Sequence, residues 1–274
     1  MQSMPRTLMT EIIRCQNPSM MTLEGTNSYL IAAPSSDTVA IVDPGPAGHP
    51  EHIDALLKAA NGRKIEVILL THHHADHSEA APALAQATGA PVRAFREDFC
   101  IGAGPLEDEE RLLISDAVVN VLHTPGHTSD SVCFLLAGDA ENGSILTGDT
   151  ILGRGTTMLD YPDGSLLDYF ATLDQLKSLS PHEPMLVLPA HGEPLPDLTA
   201  AAEAYMDHRH ERLDQFKVYL EQNNIDLADT AVQNSATADS VAIGLYGVDA
   251  QSEMGLKITG QMVSAMADYI LQRS

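Results

Sequence analysis

Thr71-His72-His73-His74-Ala75-Asp76-His77 packs imidazoles and a carboxylate into one short stretch. Neutral imidazole suits zinc and other borderline divalent ions, and carboxylate adds charge compensation. Residues two apart on an extended backbone project to the same side, so His72 and His74 can reach one ion together. Asp76 and His77 fall where the chain turns into a helix, with Asp76 spaced from Glu79 as a capping box, and they can point elsewhere. Two adjacent ions are therefore expected. Ions paired in this way sit roughly 3.5 to 4 Å apart, share a water whose pKa falls toward about 7, and polarise the scissile carbonyl or phosphoryl oxygen. That water is the nucleophile, so the attack requires no serine or cysteine.

Three further segments carry donors of the same kinds: Thr124-Pro125-Gly126-His127-Thr128, Thr147-Gly148-Asp149-Thr150 and Pro189-Ala190-His191-Gly192. With the T-H-x-H-x-D-H run they resemble, in order, the metal signature of the metallo-β-lactamase fold superfamily of dinuclear metallohydrolases. Ala190 stands where that family usually has glycine. The resemblance implies that His72, His74 and His127 hold the first metal, Asp76, His77 and His191 the second, and that Asp149 lies between them. It also gives Asp76 a catalytic part, orienting the attacking water. Zinc is the expected metal, and iron and manganese suit the same donors.

These motifs need strand ends to hold them. Ile65 to Leu70 is a β-branched, mostly apolar run of buried-strand length, followed by a helical segment from Glu79 to Ala87. Thr26 to Ile31 and Thr38 to Val42 read as strands, and so do Pro91 to Phe95, Ala117 to Leu122 before His127, and Met185 to Leu188 before His191. Ser131 to Ala137 and Ser144 to Leu146 form a hairpin that delivers Asp149. Helices are expected from about Glu51 to Ala60 and from about Ser165 to Leu179, where Tyr169 and Phe170 fall on the core face. Asp43, in a D-P-G turn, is either a partner for a metal-bound histidine or an ordinary turn residue. His49 and His52 are expected to face solvent, His123 to pack within its loop, and Glu107 to Glu110 to be solvated.

The tail has less chemistry. A long helix is expected from about Leu198 to Glu221, then a polar linker-like piece at Gln233 to Asp239 and a last helix from about Leu256 to Gln272. The G-D-T-I-L-G-x-G-T segment ending at Thr156, the P-A-H-G loop and the His208-Arg209-x-x-Arg212 helix resemble the β-lactamase-like, glyoxalase-II-related branch. That resemblance implies an α/β fold: a four-layered αββα sandwich over residues 1–205 and a small, mainly helical, winged-helix-like appendage over 206–274. Branch members include acyl thioesterases and single-stranded-RNA endonucleases.

Composition narrows the choice. The chain has 38 acidic against 15 basic residues, a net charge of -23, and such a field opposes nucleic acid and anionic membrane. Three scattered cysteines make no disulfide framework, and no secretory leader or apolar run of about 20 residues is visible, so a cytoplasmic protein is expected. The expected reaction is hydrolysis of an ester or thioester, on a small-molecule or acyl-carrier substrate. The alternative is a single-stranded RNA endonuclease or phosphodiesterase, with Arg154, His208, Arg209 and Arg212 gathered into one basic patch; Arg154 itself either binds a substrate carboxylate or phosphate or forms a surface salt bridge. An inert binding module is disfavoured because every ligand position is filled. Oligomeric state, including a homodimer, is left open.

Overall fold

The computed structural model describes residues 7–180, 182–227, 235–247, 249 and 251–273. In chain order the elements are β1 (Thr10–Arg14), β2 (Asn27–Ile31), β3 (Thr38–Val42), α1 (Pro50–Ala60), β4 (Lys64–Leu69), α2 (Ala75–Ser78), α3 (Ala81–Thr88), β5 (Val92–Arg93) and β6 (Arg111–Ile114). There follow β7 (Ala117–His123), β8 (Val132–Leu136), β9 (Ser144–Gly148), α4 (Leu166–Leu179), β10 (Leu186–Pro189), α5 (Leu198–Asn223), α6 (Ser235–Tyr246) and α7 (Glu253–Leu271).

Two five-stranded sheets result, ordered β1-β2-β3-β4-β5 and β10-β9-β8-β7-β6. Both are mixed: β3, β4 and β5 run parallel, as do β9 and β10, and the remaining neighbours are antiparallel. Strand alternation divides the apolar residues between two layers. Tyr29, Ile31, Ala40, Val42 and Leu69 meet Val119, Val121, Phe134, Leu146 and Leu188 in a core between the sheets. The alternate residues Leu30, Val39, Ile41, Ile68 and Leu70 pack with Leu56 of α1 and Leu84 of α3 on the outer face of the first sheet. Full burial of each such side chain contributes roughly 1.5 to 3 kcal/mol before chain entropy is counted. Two mixed sheets flanked by helices, with a helical C-terminal part, make the αββα sandwich expected from the sequence. Among the described residues no strand follows β10, and the elements there are helices.

Parallel register is what brings the motifs together. Val42 pairs with Leu69, so β3 and β4 release Asp43 and the histidine run at the same end of the sheet. Pro189 pairs with Gly148, so β9 and β10 release Asp149 and His191 side by side.

The chain divides into two compact units. One comprises Met1–Thr124, Asp130–Thr156 and Ser178–Ala201, and the other Pro125–Ser129, Thr157–Lys177 and Ala202–Ser274. Every strand belongs to the first. In the second, α6 and α7 bury Ala238, Val241 and Ala242 and Val263, Ala265 and Met266.

Several expectations need correction. β1 and β6 were not expected; both are short and carry charged residues among the apolar ones. The strand expected over Pro91 to Phe95 shrinks to Val92–Arg93. The piece read as linker-like becomes helix from Ser235 onward, its residues 233 and 234 lying outside the described residues. The capping box does not form. His74 is the N-cap of α2 and makes no side-chain cap bond, while Glu79 accepts from Ala47 N at 3.3 Å. Residues 1–6, part of the N-terminus expected to lack a leader, lie outside the described residues. No helix of the described residues is long and apolar enough to cross a membrane.

Candidate metal centre

Asp43, with φ +49°, stands at the end of β3, and its carboxylate organises one side of the site. Oδ1 accepts from Thr71 N at 2.8 Å, and Oδ2 accepts from Thr71 Oγ1 at 2.6 Å and from His77 Nδ1 at 2.9 Å. A carboxylate on Nδ1 fixes the tautomer that leaves Nε2 as the donor for a metal. Asp43 is thus the partner of a histidine and no ordinary turn residue. Behind it, Ser28 Oγ donates to the Asp43 carbonyl at 2.5 Å and lies 2.8 Å from His52 Nε2. His52 is 3% exposed rather than solvent-facing, and burial drops its pKa to about 4.

On the other side, His191 Nδ1 donates to the Gly25 carbonyl at 3.3 Å, which again turns Nε2 inward. Its loop is held from β2: Asn27 Nδ2 donates to the carbonyls of Pro189 and Gly192, and Tyr29 Oη to that of Pro189. Close approach fixes the neighbouring turns. A Cβ on Gly148 (φ +50°) would stand 2.7 Å from Thr71 Oγ1, and one on Gly153 would stand 2.3 Å from the Glu193 carbonyl oxygen.

The inward atoms converge. Asp76, His77 and His191 each bring a ligand atom within 4.8 Å of the others, as do His72, His77 and Asp149. The Nε2 atoms of His77 and His191 are buried and make no hydrogen bond. Carboxylate oxygens of Asp76 and Asp149 stand 3.2 to 3.7 Å from them, the spacing of groups gathered round a common point. His72 and His74 converge as the alternation predicts, His72 Nε2 lying 3.0 Å from His74 Nδ1 and His72 Nδ1 lying 3.1 Å from Thr71 Oγ1. The donor set therefore fits divalent ions bound by imidazole and carboxylate.

Charge leads to the same conclusion. Burial alone would keep His77 neutral, yet Asp76, Asp149 and Asp43 raise its pKa well above the ordinary imidazole range. His191 is likewise lowered by burial and raised more by Asp149 and Asp76. Burial would raise the Asp76 carboxyl, but the His77 and His191 charges hold it at about 2, so it is ionised at neutral pH. The acids demand positive charge here, and without a metal the imidazoles supply it as protons.

His127 belongs to the second unit and is held differently. Its Nδ1 meets the Met158 carbonyl at 2.6 Å and Thr157 Oγ1 at 3.2 Å, and its carbonyl accepts from Asp160 N at 2.9 Å. Gly126 (φ +140°) is obligatory, since a Cβ there would stand 2.5 Å from Tyr169 Cα.

Of the residues expected to meet substrate, Arg154, Arg209 and Arg212 make contacts within the chain. Arg154 is exposed and ion-paired with Glu24, the surface salt bridge that the sequence left open. Arg209 is 4% exposed, donating to the Thr157 carbonyl, with its guanidinium carbon 5.4 Å from the Tyr169 ring centroid. Arg212 donates to Gln215 Oε1 and lies over Tyr246. His208 is partly exposed, its pKa lowered by burial and then by Arg209 and Arg212. His123 stacks on Phe95 at 4.0 Å, and Cys15, Cys100 and Cys133 are free thiols. Sequence reasoning missed Thr71, Gly25 and Asn27 as supports. Thr71 and the Thr26-Asn27 pair adjoin strand ends that had been marked, which is the only signal they gave.

Comparison with known proteins agrees. Residues 21–191 match the family model described as the metallo-beta-lactamase superfamily. The lactamase-like protein adaB of Aspergillus niger is 32% identical over 219 residues, 78% of this chain and 64% of that protein, so the chain spans less than two thirds of that relative. The metallo-beta-lactamase family protein TTHA1429 of Thermus thermophilus superposes with a TM-score of 0.73 at 19% identity, over 96% of this chain and 93% of that one. TTHA1623, solved in a di-iron-bound form, is 28% identical with a TM-score of 0.54, over 68% of this chain and 94% of that one.

Proposed function

The chain belongs to the metallo-beta-lactamase superfamily, and from that premise we propose that it is a metal-dependent hydrolase that holds two divalent ions and hydrolyses an ester or thioester. His72, His74 and His127 would hold one ion, Asp76, His77 and His191 the other, with Asp149 between them. The observation that carries the reading is the convergence of the buried Nε2 atoms of His77 and His191 on the carboxylates of Asp76 and Asp149. When bound, such ions supply Lewis-acid activation of water and of the scissile carbonyl.

The chain's own residues do the rest. Asp43 and the Gly25 carbonyl hold the tautomers of His77 and His191. Asp76, ionised at neutral pH, accepts a hydrogen bond from the attacking water and orients it. The buried floor of Thr71, His77 and His191 excludes bulk water, so these dipoles act in a low dielectric. Zinc is the favoured ion for a set rich in imidazole, and iron is the runner-up.

Ester or thioester substrates are favoured over phosphodiesters because Arg154 is tied to Glu24, Arg209 is buried, and the chain carries a net charge of -23. The test is to offer the zinc-loaded chain an acyl-thioester such as S-lactoylglutathione alongside a single-stranded RNA oligomer. Thioester hydrolysis is expected to be nearly insensitive to salt and absent from His72→Ala. RNA cleavage that weakens as salt rises, with the thioester left intact, would overturn the substrate class while leaving the metal site standing.

A further inference from the structure

Three side chains of the C-terminal helices converge on the strap formed by residues 157–161. Arg209 of α5 donates from Nη2 to the Thr157 carbonyl. Met262 of α7 accepts from Leu159 N at 3.4 Å and from Arg209 Nη1 at 3.7 Å. Gln261, also on α7, donates from Nε2 to Asp160 Oδ1 at 2.8 Å and to the Tyr161 carbonyl at 3.0 Å. Between the clamps on 157 and 159, the Met158 carbonyl turns to His127 Nδ1.

Arg209 is an unusual residue to find in this role. Taking a guanidinium out of water is costly unless an acid pairs with it. Its partners among the described residues are a carbonyl, a sulfur and a ring, and its Nε makes no hydrogen bond. What this arrangement secures is the strap, since a planar fork aimed at one carbonyl fixes the direction of the peptide that follows it.

We infer that Arg209 is a positioning residue for metal binding. It locks Thr157, the strap then presents the Met158 carbonyl to the Nδ1–H of His127, and Nε2 is left oriented as a ligand. The inference rests on the reading of His127 as a ligand given under Proposed function.

The test is zinc stoichiometry and affinity of the full chain, measured by competition with a chromophoric chelator well below the melting temperature. Arg209→Met is expected to keep wild-type circular dichroism and bind one of its two zinc equivalents about 10- to 100-fold more weakly, the usual range for losing a residue that orients a ligand. Arg209→Lys should recover part of that loss. Met262→Leu keeps the volume, lacks the sulfur acceptor and should weaken the same equivalent to a smaller degree, so it carries the test if Arg209→Met does not fold. A merely structural role would lower the melting temperature of these variants and leave zinc affinity unmoved, and that result overturns the inference. His127→Ala separates the premise from the inference: it should lose the equivalent outright. Retention of both ions in His127→Ala overturns the ligand assignment. Loss there with full retention in Arg209→Met and Met262→Leu overturns the role of Arg209 alone.

Discussion

His77 and His127 are both imidazoles with Nδ1 held by oxygen, yet they are supported in opposite ways. His77 lies in α2, the short helix that follows the turn after β4, and its partner Asp43 follows the adjacent parallel strand, so sheet register brings both to one end of the sheet. His127 sits on a loop whose partner carbonyl belongs to a strap with no regular structure, and that strap is pinned by helices far along the chain. A ligand placed by sheet register inherits the rigidity of the core. One placed by a strap depends on every clamp along it. Loss of a support should therefore be felt as a graded loss of affinity at His127, and as a combined loss of affinity and stability at His77.

The sharpest way to break this contrast is to remove ligands themselves. His191→Ala or Asp149→Ala is expected to cut turnover by about three orders of magnitude, about 4 kcal/mol of transition-state stabilisation, while thermal unfolding shifts little. A parallel collapse in melting temperature would mean that the ions are structural. Next in size is Asp43→Asn. It removes the charge facing His77 Nδ1 and perturbs both hydrogen bonds from Thr71, so metal content after dialysis should fall about 10- to 100-fold in affinity and the melting temperature should drop as well. If only affinity moves, sheet register is a weaker support than the contrast claims.

A pH series sharpens it further. In the metal-free chain His77 and His191 have raised pKa values, so the stability their protonation contributes is complete below the unfolded value of about 6.5 and is lost as pH climbs through the raised folded values. His52, held at about 4, is neutral in both states above about 6.5 and drops out. Chelated protein should therefore melt at a lower temperature at pH 8.5 than at pH 6.5. Zinc-loaded protein should show the opposite trend, because the ligands bind metal only after losing their protons. Matching slopes with and without zinc would place the protonated pair elsewhere. The smallest effect is expected for Arg154→Ala, which breaks an exposed, solvent-screened pair and should leave thioester turnover within about twofold.

The same contrast explains what was legible in the sequence. Donors that sit within a few residues of a strand announce themselves, because the strand pattern and the donor types occupy one window: His72, His74, Asp76, His77, Asp149 and His191 were all marked with their strands. Supports that come from other strands did not, since nothing in Thr26-Asn27 states which carbonyl the amide will meet. The fold was legible where alternation is strong and was lost at β1, where Glu11 and Arg14 dilute the apolar signal. α6 escaped for a related reason, its opening Ser235-Ala236-Thr237-Ala238-Asp239-Ser240 having the composition of a connection. Arg209 was marked for its charge, but charge alone does not tell a surface cation from one folded over Tyr169.

The near-contact of the turns after β9 and β10 has a consequence for how such an enzyme can change over evolutionary time. With Gly153 Cα only 3.0 Å from where a Cβ on Gly192 would lie, neither turn tolerates added bulk. Insertions there would dislodge His191 before any new preference could be selected. Diversification is steered instead toward exposed positions away from these turns, such as Met20, which is 88% exposed.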